Sequence, residues 1–149
     1  MALEDDIRDM ARLPIFQEME PDALRLLAFS AETKILRKGD ILFRRSEVSD
    51  SGFLVLSGSF QIDAPSKRDS TEFVISPYSL IGEMALLTAT ERPATVTARE
   101  PSTVLKITRT VFHRVLKEHP KSAIRVRASL EARLSRFTGG LASDQGLPA

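Results

Sequence analysis

The chain contains no cysteine. Disulfide bridges, thiolate metal sites and a cysteine nucleophile are excluded by that absence alone. Histidine is scarce: His113 and His119 are the two copies. Both fall in the C-terminal third without a third ligand nearby, so they read as solvated helix residues and no metal is expected. A long apolar run is missing as well. The opening residues Met1-Ala2-Leu3-Glu4-Asp5-Asp6 are acidic where a secretory leader is basic, and nothing approaches the length of a membrane span. A cytoplasmic location without a membrane partner is the expectation. An excess of one charge sign is also lacking. The 21 basic and 20 acidic residues give a net charge of +1, so there is no bulk drive towards nucleic acid or anionic lipid.

What is present is a chain of 149 residues, 42% hydrophobic and 28% charged, enough for one globular domain with a real core. Leu3, Ile7, Met10, Ala11 and Leu13 recur at helical spacing, and Pro14 closes that run. Pro21 suits a first helical turn ahead of Leu24, Leu26, Leu27 and Phe29. After Ala31 the period changes. Short apolar runs at 33–35, 41–43, 53–56, 60–63, 71–75, 94–98 and 103–107 are separated by turn signals such as Lys38-Gly39-Asp40 and Ser57-Gly58-Ser59. The stretch between 75 and 94 reads as irregular. Thr108 is placed to cap a helix carrying Val111, Phe112, Val115 and Leu116. Pro120 starts another, with Ala123, Val126, Leu130, Leu134 and Phe137, and Gly139-Gly140 ends it.

The expectation is therefore an α+β, mainly β fold: an antiparallel, jelly-roll-like β-roll with short N-terminal helices and two C-terminal helices. A single domain covers 1–140, with helices within 3–29, the roll over 31–107, the C-terminal helices over 108–137 and a loose tail at 141–149.

The segment 82–95 carries the chemistry. Arg92 presents a planar fork of donors suited to an anion such as a phosphate. Glu83 can accept a hydrogen bond from a sugar hydroxyl. Gly82 permits close backbone approach. The short apolar run after it can form one helical turn whose N–H groups at Met84 and Ala85 face an anion. Thr95 adds a hydroxyl. Taken singly, Glu83 and Arg92 are an ordinary surface loop pair; taken together they form an anion-and-ribose cradle.

Gly82-Glu83-Met84-Ala85-Leu86-Leu87 followed by Arg92-Pro93-Ala94-Thr95-Val96 closely resembles the phosphate-binding cassette of cyclic nucleotide-binding domains. That family includes the catabolite activator protein, the regulatory subunits of protein kinase A and the ligand domains of cyclic-nucleotide-gated channels. Leu13-Pro14-Ile15-Phe16, Lys38-Gly39-Asp40 and Phe53-Leu54-Val55-Leu56-Ser57-Gly58 look like the family's entry helix, first turn and central strands, so the likeness runs over about 13–137. The resemblance implies a cyclic AMP or cyclic GMP ligand. It implies that Glu83 binds the ribose hydroxyl and Arg92 the phosphate, and that the backbone of 82–85 and Ala94 completes the site.

The sequence departs from the family pattern at three places. Ser46 stands where the family usually has glycine. Ser76-Pro77-Tyr78-Ser79 stands where the family has a glycine-containing turn. Pro93, after the cassette arginine, has no N–H to offer a phosphate.

No cofactor and no catalysis are expected. Small β-barrel metalloenzymes of the cupin type use clustered histidines, and the strand region 31–107 has none; no nucleophile–base pair is visible. The expected role is a regulatory sensor in which ligand binding rearranges the C-terminal helices. The alternative is a ligand-free β-roll interaction module. In the sensor reading Arg127, Leu130, Arg133 and Leu134 form a lid over the base, and the same apolar stripe serves equally as core or as a homodimer seam. An unidentified protein partner reads the change. About a dozen residues follow Phe137, too few for a helix-turn-helix, so no DNA partner is expected for this chain alone.

Overall fold

The computed structural model describes residues 2–63, 73–75, 77–129 and 131–132. Three helices open the chain: α1 (Ala2–Met10), α2 (Pro14–Gln17) and α3 (Pro21–Ser30). Pro14 and Pro21 each sit in the first turn of a helix, where a missing N–H costs nothing and the fixed φ is already helical. Pro14 thus opens a short helix rather than merely closing the one before it.

Eight strands follow: β1 (Glu32–Leu36), β2 (Ile41–Phe43), β3 (Ser51–Ser57), β4 (Phe60–Asp63), β5 (Phe73–Ile75), β6 (Leu80–Ile81), β7 (Thr95–Ala98) and β8 (Ser102–Thr108). They form two four-stranded antiparallel sheets, ordered β1-β8-β3-β6 and β2-β7-β4-β5. This is the β-roll the sequence predicts. The stretch expected to be irregular contains β6, which pairs Ile81 with Phe53 and Leu80 with Leu54. Two residues are too short to show a period. The expected strand residues 71 and 72 lie outside the described residues.

Helix α4 (Arg109–Glu118) is capped by Thr108, whose hydroxyl accepts from Val111 N–H. Residues 120–129 are helical again. Among the described residues no helix is long and apolar enough to cross a membrane.

Strand β3 has two buried faces, and its alternation separates two cores. Phe53 and Val55 point between the sheets with Leu36, Phe43, Phe60, Ile81, Val96, Ala98 and Val104. Leu54 points the other way, with Leu105 and Ile107 of β8, into a layer of helical side chains that includes Phe16, Leu27, Phe112 and Val126. A strand buried on one side alone would alternate with polar residues; here Ser51 to Val55 is buried throughout. Ser122 and Val126 are fully buried, and Ser122 Oγ accepts the N–H of Glu20, the residue ahead of α3, at 2.7 Å. The last described helix is thereby seated on the N-terminal helices.

Among the described residues, two that are not glycine hold positive φ: Ser46 at 75° and Tyr78 at 66°. Ser46, and the 76–79 turn that contains Tyr78, are places where the resemblance leads one to expect glycine, the residue that takes a left-handed conformation without strain. Such a conformation costs a non-glycine residue about 1–2 kcal/mol. Tyr78 has compensations: its N–H donates to Val55 O at 2.7 Å, and the Arg12 guanidinium lies 4.3 Å over its ring. Ser46 is exposed. Introducing glycine adds about 0.4–1 kcal/mol of unfolded-chain entropy, so Ser46→Gly should be net stabilising by roughly 0.5–1 kcal/mol. Tyr78→Gly should gain less or nothing, because the cation–π contact, worth about 0.5–1 kcal/mol, is lost with the ring. Urea denaturation measures both; a Ser46→Gly chain weaker than its parent would contradict the strain assignment.

Candidate functional site

The site begins at the end of β6. Gly82, at φ 78° and ψ 35°, turns the chain into a single 3₁₀ turn over Glu83–Leu86. A left-handed residue there is needed to reverse direction, and glycine takes it without strain. A second reason is steric. A Cβ on Gly82 would stand 2.6 Å from Arg92 Nη1, so the absence of a side chain lets the guanidinium lie against the backbone. Residue 82 and residue 92, ten apart in sequence, are thus brought together. Beneath them runs the start of β3: a Cβ on Gly52 would lie 3.3 Å from Gly82 O and 3.4 Å from Leu86 Cγ.

Arg92 is only 6% exposed. Its Nη2 donates to Ser51 O at 2.8 Å, and its guanidinium carbon lies 4.1 Å from the Phe43 ring centroid and 5.6 Å from that of Phe53. Burial pulls its pKa below the ordinary arginine value; Asp50 and Glu47 oppose that shift, and the positive charge of Arg109 adds to it. The cation is desolvated and is held by one carbonyl and two aromatic faces.

The backbone of Arg92 is fixed as firmly as its side chain. Arg92 N–H donates to Glu47 O, and Ser46 N–H donates to Arg92 O, both at 2.8 Å. Val48 bridges Glu91, Ser49 N–H donates to Thr90 O at 2.7 Å, and Thr90 N–H donates back to Ser49 Oγ at 3.1 Å. The 44–50 loop therefore acts as a splint along 90–92.

The remaining expected residues fall as follows. Glu83 is half-buried with its Oε2 fully enclosed. Met84 is half-buried and Ala85 buried within the 3₁₀ turn. Ala85 N–H donates to Gly82 O at 3.0 Å, so this donor closes the turn instead of facing outwards with Met84. Pro93 is exposed and Ala94 buried. Thr95 Oγ1 accepts Arg45 N–H at 3.0 Å. Arg127 is exposed on the 120–129 helix; Leu130, Arg133, Leu134 and Phe137 lie outside the described residues.

Two site residues were not singled out from sequence. Phe43 and Phe53 read there as strand residues, yet their rings form the wall behind Arg92. A third surprise is His113. Although exposed on α4, its Nε2 donates to Leu86 O at 2.8 Å, so it is a tether to the turn rather than a purely solvated residue. Alternating apolar residues in a strand give no signal of which ring will back a cation; that depends on sheet pairing.

Comparison with known proteins agrees with the fold. The profile of the family described as "Cyclic nucleotide-binding domain" matches residues 33–119. A lysophospholipase, nte1, of Neurospora crassa is 28% identical over 123 residues, covering 80% of this chain and 8% of the enzyme. A CRP-like cAMP-activated global transcriptional regulator of Mycobacterium tuberculosis is 24% identical over 135 residues, covering 89% of this chain and 60% of the regulator. The chain thus spans less than two thirds of either relative. The solved structure of a cyclic nucleotide-binding-like protein from Brucella abortus superposes with a TM-score of 0.68 at 33% identity, covering 76% of this chain and 98% of that one. With the family profile matching more than half the chain, the protein belongs to the cyclic nucleotide-binding domain family.

Proposed function

We propose that the chain is a regulatory sensor for a cyclic nucleotide, cyclic AMP or cyclic GMP, and that it carries out no reaction on it. The observation that carries this reading is the Arg92 guanidinium, buried on an aromatic wall and laid against the backbone of Gly82. A guanidinium has five N–H donors in one plane. One of them holds Ser51 O, so the fork is oriented before a phosphate arrives and little is lost in ordering it. A phosphate would add its negative charge to the field that Asp50 and Glu47 already provide.

Glu83, one residue beyond Gly82, is the acceptor for the ribose 2′-hydroxyl. Met84 N–H, Ala94 and the Thr95 hydroxyl, which accepts from Arg45 and still has its own proton to donate, line the remainder. Pro93 contributes shape but no N–H, which places more of the anion's binding on Arg92. Arg127 and, beyond it, Leu130, Arg133 and Leu134 are the residues assigned to cover the base. A relative titled cAMP-activated makes cyclic AMP the first nucleotide to test.

Calorimetric titration with each nucleotide tests the reading directly, and an absence of binding to both would leave a ligand-free interaction module. Arg92→Ala should weaken binding by about 3–5 kcal/mol, the cost of removing one partner of a buried charge pair, or roughly two to four decades in Kd. Unchanged affinity would remove Arg92 from the site. A second titration examines the ribose. The 2′-deoxy nucleotide should bind the parent chain more weakly by about 1.5–3 kcal/mol, the worth of a hydrogen bond to a charged group. With Glu83→Ala that difference should collapse; if it persists, another residue reads the hydroxyl.

A further inference from the structure

The cassette turn is short, and its far end is closed by α4. Leu87 N–H and Thr88 N–H both return to Met84 O. The carbonyls of Ala85 and Leu86, next along the chain, have no following turn to supply donors, which is the ordinary predicament of a helical C-terminus. Side chains of α4 meet them. Arg109 Nη1 donates to Ala85 O at 2.9 Å and also to Ser49 O at 3.2 Å. One helical turn later, on the same face, His113 Nε2 donates to Leu86 O at 2.8 Å. The backbone joins in, with Arg109 N–H on Asp50 O at 2.7 Å. A cation at the C-terminal end of a turn also matches the sign of its dipole.

Arg109 and Arg92 share a support. Arg92 holds Ser51 O and Arg109 holds Ser49 O, two carbonyls of one short segment, and the two cations repel each other. We propose that Arg109 and His113 are positioning residues of the ligand site: by holding the C-terminal carbonyls of the 3₁₀ turn they set where Glu83 stands relative to Arg92. The first residues of α4, outside the cassette motif, thereby become part of the recognition apparatus. This rests on the assignment of 82–95 as the nucleotide site.

The test uses the intact chain with His113→Leu, which removes the donor, His113→Gln, which keeps one, and Arg109→Met. In the ligand-free proteins, amide hydrogen exchange at 86–88 should quicken about tenfold or more in the Leu and Met variants, the range of coupling typical of linked sites, and stay near the parent rate in the Gln variant. With cyclic AMP and its 2′-deoxy analogue, the parent's preference for ribose should narrow at least several-fold in the Leu and Met variants. Residual phosphate-driven binding should survive, since Arg92 is held by the 44–50 loop. A merely structural role would lower the melting temperature without changing the ribose preference, and that result overturns the proposal. So does a His113→Gln chain indistinguishable from His113→Leu, or unaltered exchange in folded variants. Should Arg109→Met fail to fold, the exposed His113 position still decides. Should the parent bind no nucleotide, the sensor reading falls by itself and the ligand-free exchange alone judges the positioning role.

Discussion

A guanidinium taken out of water must be supported on every side, and the support for Arg92 organises this molecule. Its charge is desolvated, and the Born cost of such a move is several kcal/mol even after relaxation. The fold meets that cost with a carbonyl from the start of β3, two aromatic faces from β2 and β3, a backbone without a side chain at Gly82, and two carboxylates at the distance of a favourable field. None of these partners is local to Arg92 in sequence. Their convergence requires both sheets to be in register, so the precision of the site is inherited from the roll.

That dependence accounts for the splint along 44–50. A loop carrying a buried charge cannot be left to its own entropy, and paired N–H and carbonyl groups between 46–49 and 90–92 hold it. The positive φ at Ser46 belongs to the same device, since the loop must turn sharply to present Glu47 O to Arg92 N–H. Where a scaffold tolerates strain, the surrounding structure over-determines it. The Arg92 splint is such a surrounding.

The roll and its flanking helices were legible because each strand was short, bounded by a turn residue and alternating in character, and because Thr108, Pro120 and Pro21 punctuate helices by stereochemistry rather than by packing. The cassette was legible for another reason: Gly82, Glu83 and Arg92 lie within one continuous motif. What stayed hidden is what only pairing creates. Phe43 and Phe53 are unremarkable as strand residues until β2 and β3 face each other behind the guanidinium. His113 reads as a helix surface residue, because nothing in the sequence places Leu86 O beside it. β6 is two residues long and has no period to detect. Ala85 looked like an outward donor since the sequence predicts a helical turn, but a 3₁₀ geometry bends its N–H back onto Gly82.

The Ser122 hydroxyl, which takes the amide ahead of α3, joins residues 102 positions apart in a layer that also contains Met10 and Val126. The beginning and the end of the described chain are consequently one mechanical part. In the language of local unfolding, contacts shared in this way favour the two segments opening as one unit over the outer face of the roll.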